Sequence, residues 1–208
     1  GTPAFAVPPL KRIKEEGYEI SLVVTQPDKP RDRGKRVQPT PVKMQAEEYG
    51  IPVLQPESIS DSSELILHLR EIDPDIIIVA AYGKLLPGSL LTLPRLGCVN
   101  IHASLLPKYR GAAPIQRAIL SGDSETGVTL MYMSEGMDEG DMIAKRTTPT
   151  GKKTAGELFD ELAVLGADLL VQTIPAIEAG TAGRTVQDQH FATYAPKITK
   201  RDSLVDFH

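Results

Sequence analysis

The sequence predicts an α/β protein: an open, mostly parallel, twisted sheet with helices on both faces and a hairpin towards its carboxyl-terminal side. Three observations carry that expectation. Residues 76–80, Ile-Ile-Ile-Val-Ala, are a continuous apolar run of strand length, as a parallel strand covered on both faces requires. Leu158, Leu162, Leu165 and Leu169 recur at spacings of 4, 3 and 4, which is one stripe of an amphipathic helix. Glycines and prolines punctuate the chain between such segments, so that helix and strand alternate without internal repeats.

In chain order, residues 5–16 read as a helix stopped by Gly17, and 19–25 as a strand. A helix over 41–49 stops at Gly50 and leads to a short strand at 52–54. Asp61 and Glu64 have the spacing of a capping box opening a helix that ends before Pro74. Pro87 and Pro94 divide 84–96 into short helical turns. Residues 97–102 form a strand that breaks into a loop from Ser104 to Pro107, and 112–120 read as a helix. The hairpin pairs 128–133 with 141–148 around a loop punctuated by Gly136 and Gly140. Thr154 and Glu157 form a second capping box; the helix they open carries the leucine stripe, with a kink expected near Pro175 and an end at Gly180.

A chain of 208 residues can bury the core of one domain. Its net charge of −4 argues against a wholly basic nucleic-acid binder. No run approaches the roughly 20 apolar residues that span a bilayer. The sole cysteine, Cys98, has no internal disulfide partner, which suits a cytoplasmic location, and its apolar strand makes it a buried structural thiol. Against the acidic background, residues 28–43 carry Lys29, Arg31, Arg33, Lys35, Arg36 and Lys43 against Asp28 and Asp32, a local charge of +4. Pro30, Pro39, Pro41 and Gly34 predict an irregular, mobile loop there. Such a charge run is most often only a solvated loop, but beside a cleft it has the chemistry to hold an RNA backbone through salt-dependent contacts.

Asn100 and His102 stand two positions apart on one strand, so their side chains share a face at its carboxyl end, where open α/β sheets place their sites. Asp138 is presented by the hairpin loop. Gly1-Thr-Pro-Ala-Phe offers a lone glycine and no dinucleotide cradle, and the chain has no Walker sequence, paired-cysteine pattern or His-Glu-x-x-His. Glu135, Asp138, Glu139 and Asp141 lack the ligand order of a calcium loop.

Asn100-x-His102-x-Ser104-Leu105-Leu106-Pro107, read with the pattern over 127–143, resembles the folate-dependent formyltransferases. Gly111-Ala-Ala-Pro-Ile-Gln-Arg-Ala118, Thr25-Gln-Pro-Asp28 and Tyr194-Ala-Pro-Lys197 narrow the resemblance to members of that family whose acceptor is methionyl-tRNA. The matches keep their order over nearly the whole chain. The resemblance implies a Rossmann-like fold, 10-formyltetrahydrofolate as formyl donor, and initiator methionyl-tRNA as acceptor, in translation initiation. It implies that no metal is needed; nothing in the sequence suggests a membrane partner or a large interface, so a monomer is expected. By motif, Asn100, His102 and Asp138 are the catalytic set, Ser104, Leu105, Leu106 and Pro107 border the folate cleft, and Arg31, Arg33, Lys35 and Arg36 grip the tRNA, with Arg33 and Lys35 foremost. It also implies that a strand ahead of Gly1 is missing. On this view 1–198 form the catalytic domain, and 199–208 begin a linker to an absent β-barrel domain.

Those residue types suit the implied chemistry. Formyl transfer between two nitrogens passes through a tetrahedral adduct whose oxygen becomes anionic. Asn100 offers a neutral donor for that oxygen, His102 handles protons near neutral pH, and Asp138 favours the imidazolium or relieves the attacking amine of its proton. Alternatives are another acceptor, such as glycinamide ribonucleotide or a nucleotide sugar, a hydrolase that uses water, and a noncatalytic RNA- or folate-binding module.

Overall fold

A computed structural model of the chain describes residues 1–31, 36–60 and 62–203. A 3-10 turn, Ala4–Ala6, runs into α1 (Val7–Glu15), and Gly17, with φ +83°, ends it in the left-handed conformation that glycine adopts without strain. Then come β1 (Val23–Val24), β2 (Lys29–Arg31), β3 (Arg36–Gln38), α2 (Pro41–Glu48) and β4 (Val53–Leu54). Thr40 caps α2, its hydroxyl accepting from the Lys43 N–H at 3.2 Å. β1 pairs with β4 in parallel, and only through two residues, so the strand expected over 19–25 is mostly unladdered. The flank of β1 away from β4 borders a cavity of about 470 Å³ lined by Ile20, Leu22 and Val24 on one side and Ile76, Ile78 and Ala80 on the other.

The expectation of an irregular segment over 28–43 is corrected by β2 and β3, which form an antiparallel ribbon. Pro30 pairs with Val37 inside it, which is tolerated because each strand of a two-stranded ribbon is an edge. Residues 32–35 at its tip, including Arg33 and Lys35, lie outside the described residues. Asp61, expected to cap the next helix, also lies outside them; the cap on α3 (Ser63–Ile72) is Ser62, whose hydroxyl accepts from the Leu65 N–H at 3.2 Å.

The main sheet follows: β5 (Ile77–Ala80), α4 (Gly88–Leu91), β6 (Cys98–His102), α5 (Pro114–Leu120), β7 (Glu125–Tyr132), β8 (Met142–Pro149) and α6 (Ala155–Glu178). β5 and β6 are parallel, β6, β7 and β8 antiparallel, in the spatial order β5-β6-β7-β8. α5 starts at Pro114 because the N–H groups of Ala112 and Ala113 are both turned onto the Ala195 carbonyl, at 3.0 and 3.1 Å. The capping box on α6 has both its reciprocal bonds, and the helix continues through Pro175 for 24 residues.

Helices cover both faces. Val99 and Ile101 of β6 join the core formed with α1 and α6, while Cys98 and Val79 join the cluster with Leu65 and Leu69 of α3 and Leu90 of α4. Strand alternation therefore puts Asn100 and His102 on the Cys98 face. Burial pushes the Cys98 thiol up to about 12. The chain after α6 returns across the hairpin, bridging Met142 to Thr185 and Arg110 to Tyr194. Among the described residues no helix is long and apolar enough to cross a membrane.

Candidate active site

The carboxyl ends of β1, β5 and β6 meet along one edge. The Gly1 amine donates to the Val24 carbonyl at 3.1 Å, Gln26 Nε2 donates to the Tyr82 carbonyl at 2.6 Å, and Ala80 lies opposite Ile101 in the β5–β6 ladder. Three non-glycine residues near this edge hold positive φ: Ala81 at +45°, Tyr109 at +62° and Asp138 at +53°. Backbone in that region is strained for an L-residue and persists only where its surroundings hold it.

Asn100 and His102 are both buried on β6, and the hairpin loop brings Asp138 to them. His102 Nδ1 is 3.7 Å from Asp138 Oδ2, with side-chain exposures of 7% and 20%. On the other side of the ring, His102 Nε2 is 2.8 Å from the Tyr109 carbonyl. A carbonyl only accepts, so Nε2 carries a hydrogen, and Nδ1 is the ring nitrogen that faces the carboxylate. Asp138 Oδ2 also accepts from the Gly111 N–H at 2.8 Å. Gly111 can turn its amide that way because its φ is +109°, and a Cβ there would sit 3.1 Å from the Ala195 carbonyl. Among the described residues the Asn100 amide makes no hydrogen bond, so both its donors remain for a ligand.

The turn after β6 is built differently from a lining surface. Ser104 and Leu106 are fully buried; the Ser104 hydroxyl donates to the Lys108 carbonyl at 2.6 Å, and Leu106 packs with Met131 and Met142. Leu105 lies over Gly127 of β7, and Leu105 and Pro107 are half-buried. Ser104 and Leu106 thus shape the loop from beneath. Two residues that no motif singles out suspend it. Thr129 Oγ1 accepts from the Leu106 N–H at 3.1 Å and donates to the Ser104 carbonyl at 2.7 Å, and the Lys145 ammonium donates to the Leu106 carbonyl. Burial lowers the Lys145 pKa.

Of the cationic stretch, the backbones of Arg31 and Arg36 lie at the outer ends of β2 and β3. Lys43 is occupied, donating to Asp28 Oδ2 at 2.6 Å and to Gln55 Oε1 at 2.8 Å, and the hydrogen bonds that Lys43 and the Gln55 amide give Asp28 hold its carboxyl below its ordinary range. The ribbon rises directly after β1, on the same edge as His102. His68 and His190 are surface residues beside Glu71 and Asp188. Among the described residues no three of His, Cys, Asp and Glu come together as a metal-binding group.

Residues 1–174 match the family described as formyl transferase. The chain is 49% identical, over its whole length and 67% of the relative's, to a methionyl-tRNA formyltransferase of Geobacter metallireducens. It is 51% identical, with the same coverage, to one of Caldanaerobacter subterraneus. In fold it is similar to the N-formyltransferase from Helicobacter canadensis in complex with folinic acid and dTDP-3-aminofucose. That match has a TM-score of 0.69 and 22% identity, and covers 97% of this chain and 70% of that one.

Proposed function

We propose that this chain, which belongs to the formyl transferase family, transfers the formyl group of 10-formyltetrahydrofolate to the α-amino group of methionine on initiator tRNA. One observation carries the reading: His102 is held between the Tyr109 carbonyl and the Asp138 carboxylate, beside an Asn100 amide with its donors unspent. The amine nitrogen attacks the formyl carbon, and the carbonyl oxygen takes negative charge within reach of the Asn100 amide. The proton shed by the amine passes to the His102–Asp138 pair and returns to the folate nitrogen as its bond to carbon breaks. No step needs a metal ion. Ser104, Leu105, Leu106 and Pro107 set the border of the folate cleft, the first and third through the buried scaffold of the turn. Residues 1–198 form the catalytic domain in this reading.

The acceptor is read from the cationic ribbon. Arg31, Arg33, Lys35 and Arg36 belong to a stretch of local charge +4 that follows β1 in sequence, and the carboxyl end of β1 lies at the edge that holds the site, which suits a polyanionic RNA better than a small nucleotide. The test is formyl transfer with methionyl initiator tRNA, glycinamide ribonucleotide and dTDP-3-aminofucose offered in parallel. Transfer to the tRNA alone is expected. Replacing Arg33 and Lys35 together by Ala is expected to raise the Michaelis constant for tRNA and flatten its salt dependence, leaving that for folate unchanged. Preferential transfer to either nucleotide would overturn the acceptor and keep the chemistry.

A further inference from the structure

Arg110 is fully buried, yet among the described residues no carboxylate lies at hydrogen-bond distance from it. The nearest, Glu139, is 3.8 Å away and half exposed. A buried guanidinium without a close anion is costly unless its donors are satisfied. Here they go to two glutamines of the returning segment. Arg110 Nε and one terminal nitrogen both donate to Gln187 Oε1, at 3.0 and 2.8 Å, and the other terminal nitrogen donates to Gln189 Oε1 at 2.8 Å.

Arginine has no acceptor, so these bonds fix which way the Gln187 amide points. Its oxygen faces Arg110 and its nitrogen faces the hairpin loop. The two hydrogens of Nε2 are both spent there, on the Asp138 carbonyl at 2.9 Å and the Gly140 carbonyl at 2.8 Å. Gln187 is itself buried, at 2% exposure, and both its acceptor sites and both its donors are used. The two carbonyls it holds bracket the backbone turn in which Asp138 takes φ +53°.

We infer that Arg110 and Gln187 act as a positioning relay: the arginine orients the glutamine amide, and the amide clamps the strained turn that aims the Asp138 carboxylate at His102 and the Gly111 N–H. The catalytic consequence rests on Asp138 working as proposed above; the positioning does not. The relay joins residues 77 positions apart on one side and 49 and 47 on the other, so it sets the active-site loop through the segment that follows α6. Its geometric demand is strict, because misplacing a reacting group by about 1 Å can cost on the order of 10² in rate.

Gln187→Glu separates the relay from general stability. A carboxylate keeps and strengthens the contact with Arg110, but it loses both donors and turns an anionic oxygen towards two carbonyl oxygens. The Gly111 amide, bonded to Asp138 Oδ2 at 2.8 Å, reports where the carboxylate lies. In Gln187→Glu its proton resonance is expected to lose the downfield shift that a charge-assisted bond produces, as in Asp138→Ala. Turnover is expected to fall on the order of 10²-fold, with the folate Michaelis constant little changed. A Gly111 resonance and turnover equal to the parent's would overturn the relay. A displaced Gly111 resonance in Gln187→Glu, with Asp138→Ala turning over normally, would uphold the relay and overturn the catalytic role of Asp138. Should the variant fail to fold, the parent decides: the Gln187 side-chain NH2 protons must exchange slowly, and exchange as fast as an exposed amide would refute the clamp.

Discussion

Asp138→Asn isolates the charge on Asp138 from everything else that residue does. Asparagine keeps the side-chain volume, retains an oxygen that can accept from the Gly111 N–H, and tolerates the φ of +53° that alanine would strain. What disappears is a carboxylate 3.7 Å from His102 Nδ1, in a pocket where the two side chains are 7% and 20% exposed. At an effective dielectric constant of about 20, opposite charges at this separation attract by about 4 kcal/mol, the ceiling for lost imidazolium stabilisation. With about 1.4 kcal/mol for each factor of ten in rate, and part of the charge recovered from solvent, turnover should fall about 10²–10³-fold. Single-turnover formyl transfer at saturating folate and acceptor reads this directly, and both binding constants should stay within about twofold. A loss below about fivefold, in a variant with unchanged thermal unfolding, would mean that the charge does not act on the reacting protons.

One further outcome tests the fold that holds the site. Gly166 lies on α6 where an added Cβ would be 2.5 Å from Ile101 Cγ2 on the catalytic strand. Although Ala is the better helix former by about 1 kcal/mol, the stiff β-branched neighbour cannot retreat. Gly166→Ala should therefore destabilise by about 1–3 kcal/mol and lower the unfolding temperature by several degrees; a rise would mean that helix propensity wins.

Much of the molecule is legible in the residues. The Ile76–Ala80 run, the leucine stripe of α6 and the Thr154–Glu157 box are local patterns whose physics needs no partner, and β5, α6 and its cap follow them. Spacing alone puts Asn100 and His102 on one face, because strand side chains alternate with period two. Where local pattern and structure part, a distant group is responsible. α5 begins late because the Ala195 carbonyl captures the amides ahead of it. Pro30 sits in a ribbon because that ribbon has only edges.

Taken by itself, the sequence determined the fold class and the charge of residues 28–43, since composition and periodicity are properties of neighbours along the chain, and its resemblance to the formyltransferases singled out Asn100, His102 and Asp138. Only the tertiary structure decided how those groups are arranged. It brought Asp138 to 3.7 Å from His102 Nδ1, turned Nε2 onto the Tyr109 carbonyl, and buried Ser104 and Leu106 beneath the turn they shape. It also recruited Thr129, Lys145, Arg110 and Gln187, whose partners lie 23 to 79 residues away. Hydrogen bonds act over about 3 Å of space whatever the separation in sequence, so such support leaves no trace in the local order of residues.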